Sequence, residues 1–198
     1  MLIIHNCETV NTKAISLTIV FTALAISLTT FGIPAVFLAN FYFRFWEIPI
    51  VMAFLLLGPK IGVTVAVLRT LAELTLFPSP VGSFLGPLIA LGGTLSMLLG
   101  IYSANWLLKR KASQDRHSGT KSVTYFTALG TLFRAAIVPF IMYPVWRFFL
   151  PLTLSDAQIM ALMPPLMLFV LTLCLYTIPV GYLLARTVSR NLNVGNQL

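Results

Sequence analysis

Long apolar runs, separated by short polar or proline-rich segments, make up most of the chain. Six such runs are visible, each closed by glycine, proline or charged residues, and they cover residues 14–33, 45–57, 61–77, 84–108, 123–150 and 159–184. A bilayer core is about 30 Å thick and takes about 20 apolar residues of a helix. The pattern predicts an all-α integral membrane protein with six transmembrane helices, in one membrane domain spanning residues 1–198.

The second run is too short to cross a bilayer as a straight helix. It ends at Gly58 and Pro59 after 13 residues, whereas a crossing needs about 20. The segment before it, 35–44, is rich in aromatic residues, which favour the membrane–water interface. We therefore expect this aromatic segment to contribute to the second crossing.

Composition supports a membrane protein. Of the 198 residues, 58% are hydrophobic and only 9% are charged, whereas a soluble domain carries roughly 25% charged residues. The net charge of +8 does not indicate a nucleic-acid partner, because no basic helix face with interleaved aromatic residues is present. The cations lie mostly at the ends of the apolar runs, as membrane topology requires.

The distribution of lysine and arginine predicts the orientation. Cytoplasmic segments of membrane proteins carry an excess of these residues. With the N-terminus inside, the outer segments hold only Arg44 and Arg147, and the inner segments hold nine cations: Lys13, Lys60, Lys109, Arg110, Lys111, Arg116, Lys121, Arg186 and Arg190. The chain is therefore predicted to lie in the cell membrane as a multi-pass protein with both termini in the cytoplasm.

Motifs for catalysis are missing from the sequence. It has no G-x-x-x-x-G-K-[ST] phosphate loop, so the usual ATP-hydrolysing cradle is not expected. His5 and His117 fall in predicted cytoplasmic segments without companion metal ligands, and Cys7 and Cys174 are far apart. We expect no enzyme activity, no cofactor and no metal site.

Charged residues inside the predicted spans are the main candidates for function. Arg69 and Glu73 are four positions apart on the third span, Arg134 lies within the fifth, and Glu47 begins the second beside Trp46. Charges in a bilayer are costly, so they face protein or water and often mark a substrate path. Two compatible interpretations stay open, namely a neutral network that holds helices together and a ligand site that uses some of these groups.

The ligand-site interpretation predicts a pocket in the outer half of the membrane between spans two and five. Small-molecule pockets combine apolar rings with a few convergent polar groups. Here the rings would stack on a flat heterocycle while the charged groups hold its polar edge. The predicted lining residues are Trp46, Glu47, Arg69, Glu73, Arg134 and Tyr143.

Small residues recur every fourth position on the first span. Thr18 and Thr22 form one such pair, and Ala23 and Ser27 form another on a different face. Small-xxx-small spacing lets helix backbones approach closely. The pattern predicts either packing within the chain or an interface with a partner subunit.

The sequence resembles the S components of energy-coupling factor (ECF) transporters, and the riboflavin-binding branch most closely. The resemblance covers most of the chain in helix order and is sharpest between residues 45 and 71. It rests on these segments: Glu47-Ile48-Pro49, Gly58-Pro59, Arg69, Val81-Gly82-Ser83, Gly130-Thr131-Leu132 and Pro164-Pro165.

The resemblance implies a high-affinity, substrate-binding membrane subunit that takes up a water-soluble vitamin. Its implied partners are a transmembrane coupling subunit and two separate ATPase subunits that power uptake. The family's A-x-x-x-A docking motif on the first helix corresponds here to Thr18/Thr22 or Ala23/Ser27. The polar pair of the riboflavin branch in the sixth helix is replaced by Pro165-Leu166, which leaves the vitamin open between riboflavin and another, anionic one.

A self-contained secondary transporter of a small organic molecule is the alternative function. Such transporters commonly contain inverted repeats, and no internal repeat is visible in this sequence. A requirement for separate ATPase subunits would distinguish the two functions.

Overall fold

The computed structural model describes residues 12–35, 41–76, 84–111, 119–149 and 155–192. Within these ranges the chain forms six α-helices and one two-stranded antiparallel sheet. A π-helical turn, Val145–Phe149, continues the fifth helix. In chain order the elements are α1 Thr12–Thr29, β1 Gly32–Pro34, β2 Tyr42–Arg44, α2 Glu47–Leu57, α3 Pro59–Leu76, α4 Leu85–Lys111, α5 Gly119–Pro144 and α6 Asp156–Leu192.

Three of the helices are long and apolar enough to cross a membrane. The corresponding segments are Leu85–Leu108, Ser122–Phe148 and Asp156–Ser189. Ala14–Thr29 and Glu47–Leu57 are shorter apolar helices, and α3 carries three charged residues among its 18. The described residues thus confirm a mainly helical fold with three helices capable of spanning a membrane, while six crossings and cytoplasmic termini stay predictions.

The short helix α2 lies at the centre of the bundle. It packs against α1, α3 and α6, and nine of its 11 residues are buried. A helix that is apolar on all sides is stable when protein surrounds it. An isolated helix of this length would expose its ends to lipid hydrocarbon. Neighbouring helices enclose α2 and shield its ends.

The structure differs from the sequence prediction around the first loop. Helix α1 ends at Thr29 and not at residue 33, and β1 pairs with β2 so that Gly32 faces Arg44 and Pro34 faces Tyr42. Proline has no N–H and disfavours helical geometry in the residue before it. Pro34 therefore does not continue α1 as a helix. Within the aromatic segment, residues 42–44 form strand β2 and do not extend α2 as a helix.

The later helices also differ in their limits from the predicted spans. Helix α5 is α-helical only as far as Pro144, where the π-helical turn begins. Helix α6 starts at Asp156, before the predicted residue 159, and runs to Leu192. Both ends of α6 contain polar residues, so the hydrophobic pattern alone predicts a helix that is too short.

Glycine allows two pairs of helices to approach closely. A Cβ placed on Gly100 of α4 would lie 2.5 Å from the Leu129 carbonyl oxygen and 2.7 Å from Gly130 Cα on α5. A Cβ on Gly62 of α3 would lie 2.6 Å from Phe54 Cβ on α2. Small residues at such crossings are the usual route to tight helix packing in membranes.

One end of the bundle contains the candidate site residues. The C-terminal ends of α1, α3 and α5 meet the N-terminal ends of α2, α4 and α6 there, together with β1 and β2. We call this the hairpin end. Two rings anchor the hairpin segment to α6, because Phe41 and Phe43 lie 5.3 Å and 4.9 Å from Phe169, centroid to centroid.

Candidate ligand-binding site

A cavity of about 940 Å³ opens at the hairpin end. Its volume lies within the range of roughly 300–1,000 Å³ that is usual for small-molecule sites. Every helix and the hairpin segment contribute to its wall. The lining includes five aromatic rings, Phe41, Tyr42, Trp46, Phe84 and Phe169, and six polar or charged residues, Thr29, Thr30, Arg44, Glu47, Glu73 and Arg134.

The first charged pair joins α2 to α5 across the cavity wall. Arg134 donates two hydrogen bonds to the Glu47 carboxylate, of 2.6 Å from Nη1 to Oε2 and 2.7 Å from Nη2 to Oε1. The Glu47 side chain is 1% exposed and that of Arg134 is 8% exposed. A bidentate guanidinium–carboxylate pair is among the strongest hydrogen-bonded pairs, and it makes both buried charges tolerable.

The position of Glu47 adds to its stability as an anion. Glu47 is the first residue of α2, and the N-terminus of a helix carries a partial positive charge from the aligned peptide dipoles. Thr94 Oγ1 on α4 lies 3.3 Å from Glu47 Oε1. The carboxylate is thus held by side chains from two other helices, α4 and α5.

The second charged group centres on Arg69, whose side chain is 1% exposed. Its guanidinium carbon lies 3.7 Å from the centroid of the Trp46 ring, within the range of a cation–π interaction. Arg69 Nη1 lies 2.6 Å from Glu73 Oε2 as an ion pair, and Nη2 donates to Thr29 Oγ1 at 3.3 Å. Arg69 therefore connects α1, α2 and α3 behind the cavity wall.

Arg44 joins the same group from strand β2. Its Nη1 lies 3.4 Å from Glu73 Oε1, and its side chain is 40% exposed. The Tyr176 hydroxyl on α6 donates a hydrogen bond of 2.9 Å to the backbone carbonyl of Arg44. The backbone at Arg44 is fixed on both sides while its guanidinium faces the cavity.

Some buried donors have no acceptor within the described part of the chain. The Nε atoms of Arg69 and Arg134 are buried and unpaired there. Arg134 Nε faces Gly93, because a Cβ on Gly93 would lie 3.6 Å from it. Gly93 and Arg134 both line the cavity, so this N–H lies close to the cavity wall.

The structure brings most of the sequence-predicted site residues together. Trp46, Glu47, Glu73 and Arg134 line the cavity, and Arg69 contacts two of them from behind. Tyr143 lies outside the lining, is 36% exposed, and has its hydroxyl 3.5 Å from Asp156 Oδ1. The pairing of each glutamate with an arginine also matches the network interpretation.

The lining predicted from the sequence does not include Arg44 or the rings of Phe41 and Tyr42, which line the cavity in the structure. The sequence pattern predicts segment 35–44 as part of the second crossing and Arg44 as an outer cation, and neither prediction indicates a contact with the site. Folding that segment back against Phe169 depends on pairing between β1 and β2. Strands of three residues are too short to show a periodic pattern, so the sequence does not predict this pairing.

The four small residues of α1 fall on two different surfaces. Thr18 and Thr22 are half-buried, and each donates its hydroxyl to the carbonyl four residues earlier. Ala23 and Ser27 are exposed, beside the exposed apolar residues Ile19, Val20 and Leu24. The first pair is partly covered by the chain itself, and the second pair is open to a partner or to lipid.

Comparisons with known proteins give a fold. The sequence matches no family model and no curated protein. The structure is similar to the S component of a bacterial ECF transporter, with a TM-score of 0.67 and 20% sequence identity. The similarity covers 91% of this chain and 98% of that one. The chain has the fold of an ECF transporter S component. At this identity the similarity shows a shared architecture and does not extend to the ligand or the partners.

Proposed function

We propose that this chain is the substrate-binding subunit of an ECF-type uptake transporter. It would bind a small water-soluble organic molecule at the outer face of the cell membrane and pass it inward together with partner subunits. The proposal is supported by a shared fold that extends over nearly the whole of both chains.

The observation that carries the proposal is the cavity at the hairpin end. It combines apolar rings with two buried arginine–glutamate pairs, and this is the chemistry of a specific small-molecule site. Charges held within apolar helices are expensive and usually mark a substrate path. A network that only joined helices would not need a cavity of about 940 Å³ beside it.

The proposed topology places this cavity outside the cell. Six crossings with both termini in the cytoplasm follow from the nine inner cations against two outer ones, by the positive-inside rule. The hairpin end lies opposite the start of α1 and the end of α6. In this orientation a ligand reaches the cavity directly from the external medium.

The proposed partners are a transmembrane coupling subunit and two ATPase subunits. The chain itself has no phosphate-binding loop of the common type, so the energy would come from the partners. The exposed face of α1 that contains Ala23 and Ser27 is proposed to dock the coupling subunit, since small residues permit close helix contact.

The proposed ligand is a water-soluble vitamin with a flat ring system. Five aromatic side chains in one lining suit stacking on a planar heterocycle. Riboflavin is one candidate, in keeping with the sequence resemblance around Glu47-Ile48-Pro49.

Uptake by reconstituted vesicles tests this function. The purified chain is inserted into liposomes alone, or with the coupling subunit and both ATPases of the same organism, and a panel of labelled vitamins is added outside. We expect ATP-dependent accumulation of one vitamin only when all subunits are present. Accumulation by the chain alone, without ATP, would indicate the self-contained transporter instead.

A further inference from the structure

The charges around the cavity do not balance. Three guanidinium groups, from Arg44, Arg69 and Arg134, face two carboxylates, from Glu47 and Glu73. Arg44, Arg134, Glu47 and Glu73 line the cavity, and Arg69 lies directly behind its wall in contact with Glu73. Among the described residues, no further charged side chain lines the cavity. One positive charge is therefore in excess.

The geometry assigns that excess charge to Arg44. Glu47 is fully engaged by Arg134 through two short hydrogen bonds. Glu73 is shared, but it lies 2.6 Å from the buried Arg69 and 3.4 Å from Arg44. The closer pair is also the more deeply buried one, so Glu73 mainly neutralises Arg69.

We infer that the ligand carries a negative charge, of the carboxylate type, and that Arg44 binds it. The inference rests on the proposed function and narrows its ligand to an organic anion with a flat ring. An arginine fork matches the two oxygens of a carboxylate.

The Arg44 side chain is 40% exposed and lines the cavity, so solvent can reach it while the cavity is empty. A ligand that fills the cavity displaces that solvent, and a charge that loses solvation without a partner is strongly disfavoured. A neutral ligand would leave the excess charge uncompensated. An anionic ligand neutralises the whole group of five charges.

The backbone around Arg44 holds its side chain ready for this contact. Arg44 is paired with Gly32 in the sheet, and the Tyr176 hydroxyl donates to its carbonyl. A Cβ on Gly32 would lie 3.2 Å from Tyr42 Cβ, which is a tight contact, so glycine lets the two strands of the hairpin approach closely. Such support reduces the ordering cost of binding.

Two matched pairs of small aromatic probes test the inference without knowledge of the natural ligand. Benzoate is compared with benzamide, and indole-3-acetate with indole-3-acetamide, because each pair differs in charge and little in shape. Dissociation constants are measured by isothermal titration on the purified protein in detergent. We expect each acid to bind about tenfold or more tightly than its amide, as close charge pairs commonly provide.

Variants assign the preference to a residue. Arg44→Gln should abolish the preference for the acids, and Arg44→Lys, which keeps the charge, should retain it. Arg147→Gln removes a cation that lies outside the cavity lining, and it should leave the preference unchanged. Size-exclusion chromatography shows whether each variant is folded and monodisperse.

Each alternative result contradicts a defined part of the inference. Equal binding of acids and amides would contradict the inference that the ligand is negatively charged. The cavity would remain the proposed binding site. A preference that survives in Arg44→Gln would overturn the role of Arg44. If no probe binds at millimolar concentration, the charge inference is overturned, while vesicle uptake still decides the proposed function separately.

Discussion

Glu47 and Arg134, which are 87 positions apart in the sequence, form a two-hydrogen-bond ion pair in the interior of the bundle. The pair links the first turn of α2 to the middle of α5. Because both side chains are almost fully buried, neither charge has water to replace a missing partner.

Removal of one partner should therefore be more damaging than removal of both. We expect Glu47→Gln and Arg134→Met each to lower the free energy of unfolding by about 3–5 kcal/mol, since each leaves a buried charge uncompensated. The double variant should lose less than either single variant, because no buried charge is then left uncompensated. Unfolding by SDS in mixed micelles measures all three, and simple additivity would contradict a direct pairing.

Gly100 should be essential for the contact between α4 and α5. A methyl group there would lie 2.5 Å from a backbone carbonyl oxygen of α5, and backbone cannot move aside as a flexible side chain can. We expect Gly100→Ala to cost about 1–3 kcal/mol, as overpacking does. Gly86→Ala is the matched control on the same helix, because nothing lies within 4 Å of its added Cβ.

The same SDS titration compares the two glycine variants. Both gain the same methyl group, and the higher helix propensity of alanine favours the variant at the interior position Gly100, so a lower stability of Gly100→Ala reports packing. Equal stability of Gly100→Ala and Gly86→Ala would contradict the close helix crossing.

The topology prediction can be tested at two exposed residues. The sequence places Lys60 inside and the start of α6 outside, and both Lys60 and Ser155 are exposed in the structure. In a background without cysteine, an impermeant thiol reagent added to intact cells should label Ser155→Cys and spare Lys60→Cys. The reverse pattern would contradict the orientation.

The exposed face of α1 should carry the partner contact. Ala23→Leu enlarges an exposed small residue and should reduce co-purification with the coupling subunit without weakening ligand binding, because close backbone approach is lost. Thr22→Leu is less selective, since Thr22 is half-buried against its own chain. Thr64→Leu, on the exposed face of α3, is the matched control, and equal complex yield from Ala23→Leu and Thr64→Leu would contradict the docking face.

The sequence predicted the helices because lipid leaves few alternatives. An apolar run of about 20 residues must satisfy its own backbone hydrogen bonds, and a helix does so locally. Depth along each helix also followed from a rise of about 1.5 Å per residue, which brought Arg69, Glu73, Arg134 and Glu47 towards one region. The Arg69–Glu73 contact follows from i, i+4 spacing on one helix.

Other features depend on how distant segments turn towards one another. The sequence gives no rotation for α5 relative to α2, so it could not assign Arg134 specifically to Glu47. The same uncertainty placed Tyr143 in the predicted lining, although the structure turns it towards Asp156. The hairpin of Gly32–Pro34 and Tyr42–Arg44 was missed because three-residue strands carry no measurable period.

The central claim is that the cavity at the hairpin end holds a small organic molecule. Native mass spectrometry of the protein purified from its own cells tests it most directly. Gly93 lines the cavity beside Arg134, and an added Cβ meets only ordinary contacts at 3.5–3.6 Å, so Gly93→Leu should fold while its side chain occupies ligand space. Ala128→Leu, at an exposed position on α5 away from the cavity, is the control. We expect one bound small molecule on the parent and on Ala128→Leu, and none on Gly93→Leu. A small molecule that stays bound equally to all three proteins would contradict the site.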